Sequence, residues 1–194
     1  MRIVAGRHKG KTLAAPRGQG IRPTADRLRE TLFNVLAHGL ARHEIGDPVA
    51  GARVLDLFAG TGALGLEALS RGAVYAVFVD EGAEARGLLR ANVEALGVGG
   101  VTRILRRDAT RLGQASPFEP FHLVFLDPPY SLGLAERALA SVMAGGWLAP
   151  GGLCVVEERA GEAVALPDGL ELLDQREAGE GQFLIARATP RPPA

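Results

Sequence analysis

The sequence predicts an α/β fold: a mostly parallel sheet of seven strands, six running one way and one the other, with helices on both faces. Two observations carry this. From residue 52 onward, apolar runs of five or six residues alternate with longer amphipathic stretches, the signature of repeated β-then-α units. Near the C-terminus the alternation stops, and residues 170–177 and 182–188 read as two strands joined by Ala-Gly-Glu-Gly, an antiparallel hairpin at the sheet edge. The 194 residues suit one such domain with room for a small appendage.

The elements follow in order. Residues 2–14 read as two short strands around the Gly6-Arg7-His8-Lys9-Gly10 turn, so residues 1–20 are expected to form a small basic β-hairpin appendage whose last part, Pro16 to Gly20, is a linker. Thr24 is placed to cap a helix over 25–36, because Leu28, Leu32, Val35 and Leu36 share one helical face. A loop rich in glycine and charge occupies 38–51. The alternating part, within a domain spanning 21–189, then predicts strands at 53–57, 74–79, 102–106, 122–126 and 152–157, with helices at 63–71, 83–96 and 134–144. Residues 190–194 are expected to be a frayed tail.

Composition narrows the function classes. Hydrophobic residues make up 47% and charged residues 23%, as in ordinary globular proteins. No apolar run approaches the roughly 18 residues that a membrane-spanning helix needs, and the N-terminus lacks the apolar core of a secretion signal, so a cytoplasmic location is expected. The one cysteine, Cys154, lies in an apolar run and reads as a small core residue. No Cys/His cluster has zinc spacing, and no metal is expected. Net charge is zero but unevenly spread. The first thirty residues hold eight basic side chains and two acidic ones, and the remainder holds 14 basic and 20 acidic. A basic head on a mildly acidic body suggests a polyanionic partner such as a nucleic acid, with Arg2, Arg7, Lys9, Lys11 and Arg22 as its candidate contacts.

Two motifs carry chemistry. The first, Val54-Leu-Asp-Leu-Phe-Ala-Gly-Thr-Gly-Ala-Leu-Gly65, is a strand, a glycine-rich turn and a helix start. Gly60 and Gly62 let backbone approach a ligand closely at the carboxyl end of a strand, where open α/β sheets bind their ligands. The spacing also matches the dinucleotide fingerprint, but Asp56 inside the strand would repel a pyrophosphate and attract an amino acid's ammonium. S-adenosylmethionine carries such an ammonium and no phosphate. Asp80, 24 residues on at the end of the second strand, suits the ribose hydroxyls, and Asp108 beyond the third suits an adenine amino group.

The second motif, Asp127-Pro128-Pro129-Tyr130, closes the fourth strand. An amino group on a heteroaromatic ring is a poor nucleophile because its lone pair is delocalised into the ring. A carboxylate at Asp127 and the Pro128 carbonyl can accept its two N–H bonds and localise that lone pair. The prolines fix the turn, and Tyr130 offers a face for a base to stack on.

Together these segments resemble the class I amino-methyltransferases, which have a Rossmann-like fold. More narrowly, three stretches resemble the RsmD family of 16S ribosomal RNA guanine-N2 methyltransferases: Arg2-Ile-Val-Ala-Gly6 with Lys9-Gly-Lys-Thr-Leu13, Arg22-Pro-Thr-Ala-Asp-Arg-Leu-Arg-Glu-Thr-Leu-Phe-Asn34, and Gly62-Ala-Leu-Gly-Leu-Glu-Ala-Leu-Ser-Arg-Gly72. The resemblance covers nearly the whole chain, and Arg22–Asn34 is its most specific part. It implies S-adenosylmethionine as cofactor, held by Asp56, Phe58, Gly60, Gly62, Asp80 and Asp108. It implies a catalytic centre at Asp127, Pro128, Pro129 and Tyr130. Its target would be guanine 966 of 16S rRNA, free or within the small ribosomal subunit, and the enzyme would be a monomer. Three other readings stay open on the residues alone: a DNA adenine-N6 or other nucleic-acid amino-methyltransferase, a small-molecule methyltransferase, and a non-catalytic RNA-binding assembly factor.

Overall fold

The computed structural model describes residues 1–16, 23–130 and 132–189. Arg22, most of the expected linker and the expected frayed tail lie outside them. The elements are α1 (Pro23–Asn34), β1 (Arg53–Leu57), α2 (Ala63–Ser70), β2 (Tyr75–Val79), α3 (Ala83–Ala95), β3 (Thr102–Leu105), β4 (Phe121–Leu126), α4 (Leu134–Ala144), β5 (Leu148–Arg159), β6 (Leu170–Ala178) and β7 (Gly181–Ala188). They form one seven-stranded sheet in the order β3-β2-β1-β4-β5-β7-β6. β1 to β5 are parallel. β7 runs antiparallel to both β5 and β6, so one strand opposes the other six. The C-terminal hairpin is present, but its second strand inserts beside β5 and leaves β6 at the edge.

Each sheet face has its own core. One packs Leu28, Leu32 and Phe33 of α1, Leu66 and Leu69 of α2, and Leu89 and Val93 of α3 against Val54, Phe78, Phe125 and Val155. The other packs Ala135, Ala138, Leu139 and Val142 of α4, with Trp147, against Leu55, Val77, Val124 and Cys154. Burying each of the larger side chains contributes about 1.5–3 kcal/mol. Cys154 is fully buried, as a core residue should be, and burial pushes its thiol up to about 12.

The N-terminal segment doubles back on itself as a short antiparallel pair: Arg2 bridges Thr12, and Ile3 N–H donates to the Lys11 carbonyl at 2.9 Å, Gly10 N–H to the Ile3 carbonyl at 2.9 Å and Leu13 N–H to the Met1 carbonyl at 3.0 Å. Other amides of the segment reach α2: Val4 and Ala5 donate to the Glu67 carboxylate at 2.8 and 3.0 Å, Arg7 to the Ser70 carbonyl at 2.9 Å, and His8 to Ser70 Oγ at 3.0 Å. Ile3 and Leu13 are buried in the α1–α3 core. The segment is therefore fastened along α2. α1 starts earlier than expected. Pro23 takes the first helical turn, where its missing N–H costs nothing, and Thr24 lies inside the helix instead of capping it. The helix ends in a wider π turn, Val35–Gly39. No helix of the described residues is long and apolar enough to cross a membrane.

Candidate active site

The motif residues meet at the carboxyl edge of β1, β2 and β4. After β1 the chain turns sharply: Phe58 adopts φ 55°, Gly60 φ 55° and Gly62 φ 80°. Left-handed backbone of this kind favours glycine, and a side chain at Gly62 would collide with Leu89 of α3. At Gly60 the surroundings are open, since an added Cβ would meet nothing nearer than the Phe58 carbonyl oxygen at 3.9 Å. The turn thus presents bare backbone outward, a cradle for a ligand.

Three carboxylates surround that cradle in different ways. Asp80, half-buried, accepts from Gly60 N–H through Oδ2 at 2.8 Å and from Gly82 N–H through Oδ1 at 2.7 Å. It ties the end of β2 to the glycine turn and, with about four lone-pair sites, keeps capacity for further donors. Asp108 lies beyond the end of β3 and caps the short turn Ala109–Arg111. Its Oδ1 accepts from Thr110 N–H at 2.8 Å and Thr110 Oγ1 at 2.7 Å, and these bonds hold its carboxyl below the usual range. Asp56 is 1% exposed and lies beneath the turn, supporting it from below, with Oδ2 accepting from Gly65 N–H in the first turn of α2 at 2.8 Å. Desolvation pushes its carboxyl up to about 8.

Asp127 follows β4 on the neighbouring strand, its N–H directed at the Leu57 carbonyl of β1 at 3.5 Å. Pro128 is buried and Pro129 exposed. The Asp127 residue opens onto the surface of the cleft, yet its carboxyl is raised well above the ordinary value. Protein crowds it, and the negative charges of Glu157, Asp56 and Glu158 add to the effect. Tyr130, half-buried, donates its hydroxyl to Glu157 Oε1 at 2.9 Å, and desolvation with the Glu157 charge raises its pKa. A side chain at Gly181 would stand 3.2 Å from both the Tyr130 hydroxyl and Leu28 Cδ2. The family-like helix α1 and the β6–β7 turn therefore close over this side of the cleft.

Sequence reasoning missed three residues here. Glu157 enters the sequence reading only as the last residue of the expected strand 152–157; the fold brings it beside Asp127 on the adjacent strand. Asn92, 1% exposed, donates to the Thr61 carbonyl at 2.9 Å and accepts from Ala14 N–H at 2.7 Å, joining the glycine turn to the N-terminal segment. Glu67, fully buried, binds that segment's amides and pairs with Arg71 at 2.7 Å and Arg29 at 3.9 Å. Of the expected RNA contacts, Arg2, Arg7, Lys9 and Lys11 are exposed. Arg29, counted in the basic head, is buried. No cluster suited to a metal ion occurs among the described residues.

Comparisons with known proteins agree with this fold. The family model described as Conserved hypothetical protein 95 matches residues 1–187. The chain is 35% identical over 186 residues to Ribosomal RNA small subunit methyltransferase D of Escherichia coli K12, covering 95% of this chain and 88% of that one. The solved structure of the Escherichia coli protein yhhF superposes with a TM-score of 0.80 at 33% identity, over 98% of this chain and 99% of that chain. At 18% identity, the N-methyltransferase NodS of Bradyrhizobium japonicum, solved with S-adenosyl-L-homocysteine, shares the fold with a TM-score of 0.65 over 91% and 92% of the two chains.

Proposed function

The chain belongs to the RsmD family, described as Conserved hypothetical protein 95, and from that premise we propose that it methylates the N2 amine of guanine 966 in 16S ribosomal RNA. The methyl donor is S-adenosylmethionine. The observation that carries the reading is the placement of Asp127-Pro128-Pro129-Tyr130 one strand from the open glycine turn, so that an acceptor amine and a methyl donor share one cleft.

The residues present fit the donor. It has hydroxyls and amines to satisfy and no phosphate, and the cradle offers open backbone at Gly60 with half-exposed carboxylates at Asp80 and Asp108. Asp80 receives the ribose hydroxyls, Asp108 the adenine amino group, and Phe58 lies beside the turn. Asp56 acts through Gly65 by holding the turn in shape. S-adenosylmethionine supplies a methyl group on positively charged sulfur, already activated for displacement, so the chain's own work is positioning and polarisation.

Asp127 and the Pro128 carbonyl accept the two N–H bonds of the amine, and the Tyr130 ring carries the base. As the nitrogen becomes tetrahedral, its lone pair would bond to the methyl carbon while the carbon–sulfur bond breaks, its electron pair staying on the donor's sulfur as a neutral thioether. The surplus proton then leaves to the Asp127 carboxylate or to water. Arg2, Arg7, Lys9 and Lys11 hold the RNA backbone, and the work is done in the cytoplasm, where ribosomal RNA is made. The test is to supply the protein and labelled cofactor to small-subunit RNA, free and as assembled subunits, from cells lacking the gene. Mass mapping should place one methyl on a guanine N2. Methylation of adenine N6 in duplex DNA, with none on the RNA, contradicts the reading.

A further inference from the structure

We infer that Glu157 selects guanine by accepting the ring N1–H, while Asp127 accepts from the amine beside it. The inference rests on the function proposed above and adds a recognition residue to that site. Its basis is where β4 ends beside β5. Phe125 pairs with Val155 and Leu126 with Val156, and the next pair in this register is Asp127 and Glu157, on strands about 4.8 Å apart. Phe125 and Val155 face the α1–α3 core, and two residues on, Asp127 and Glu157 continue that row at the mouth of the cleft.

Glu157 is held there. The Tyr130 hydroxyl donates to its Oε1 at 2.9 Å, so the ring on which a base would stack also fixes this carboxylate. Leu28 of α1 and Gly181 close in from the other sides. The charged groups that act on this pair come from α1 (Arg29), β1 (Asp56) and β5 itself (Glu158).

Two neighbouring carboxylates match one kind of base edge. Guanine presents N1–H and N2–H₂ side by side, all donors. Adenine and cytosine place an unprotonated ring nitrogen next to their amine. A carboxylate facing that lone pair is repelled and loses its partner, an outcome far costlier than a missing contact. Asp127 can serve any base amine, so Glu157 is what makes the site a guanine site. Tyr130 is then a positioning residue as well as a stacking platform.

The experiment compares two small-subunit RNAs, one with guanine and one with 2-aminopurine at the acceptor position. 2-Aminopurine keeps the 2-amine but has a bare N1. Wild type should prefer guanine by roughly 100-fold in kcat/KM, and Glu157→Gln should shrink that preference by about 10-fold or more, because an amide can also donate to a bare N1. Cofactor affinity should stay unchanged. Tyr130→Phe, which keeps the ring and frees the carboxylate, should shrink the preference in the same direction and serves if Glu157→Gln does not fold. An unchanged preference in the folded variants overturns the role given to Glu157, as does an equal loss on both RNAs. If wild type methylates neither RNA, the proposed function itself fails.

Discussion

A buried carboxylate is costly unless something compensates it, and Asp56 has one backbone N–H, from Gly65, to do so. Its folded carboxyl titrates near 8, so it is largely neutral around pH 6. The sign follows from proton uptake. Between the ordinary carboxylate range and about 8 the folded state holds a proton here that the unfolded state has lost, so stability falls as pH rises through that window. Within it, Asp56 contributes a loss of up to about 1.4 kcal/mol per pH unit. Asp127 and Glu157, also raised, push in the same direction. Asp56→Asn keeps an acceptor for Gly65 and cannot titrate. Urea unfolding from pH 5 to 8 should therefore show a visibly shallower decline for this variant. Parallel stability curves for variant and wild type would mean that Asp56 is ionised in the folded protein.

At the scale of elements, α2 organises two surfaces. Its N-terminus receives Asp56 and starts at the glycine turn. Its far end, about 12 Å away at 1.5 Å per residue, receives the tip of the N-terminal segment through Ser70. Met1 and Ala14 return near Thr61. Arg2, Arg7, Lys9 and Lys11 are exposed on this segment. Replacing Arg7, Lys9 and Lys11 with alanine should weaken RNA binding and flatten its dependence on salt, because fewer counterions are released, while cofactor affinity stays the same. Titrations at several salt concentrations read this directly. Equal salt slopes would place the RNA elsewhere.

At the scale of the whole molecule, the alternating region was legible because each strand is a short apolar run bounded by glycine or charge, and such runs leave little choice of element. β5 is the instructive departure. It extends from Leu148 to Arg159, beyond the expected 152–157, and passes Pro150 and Gly151 with a bulge between the Phe121–Leu148 and Leu123–Leu153 pairs. What no local pattern reveals in the N-terminal segment is its anchorage: amides of Val4, Ala5 and His8 are claimed by Glu67 and Ser70, more than sixty residues away. The same holds for the site. Asp80, Asp108 and Asp127 were legible as residues that follow β2, β3 and β4, because each comes after a short apolar run, whereas Glu157 and Asn92 stand out only through partners that the fold brings to them.

The central claim is that Asp127 polarises the acceptor amine. Its hydrogen bond must strengthen as the nitrogen becomes tetrahedral and positive, so its loss should lower turnover more than it weakens binding. The raised Asp127 carboxyl also means that the ionised, accepting form is lost at a pH well above that of an ordinary aspartate, so methylation should decline on acidification earlier than a free carboxylate predicts. The most direct measurement is single-turnover methylation of small-subunit RNA with cofactor saturating. Asp127→Ala should be slower than wild type by about 100-fold or more, with Asp127→Asn between them. Methylation of guanine by Asp127→Ala at the wild-type rate would contradict the account.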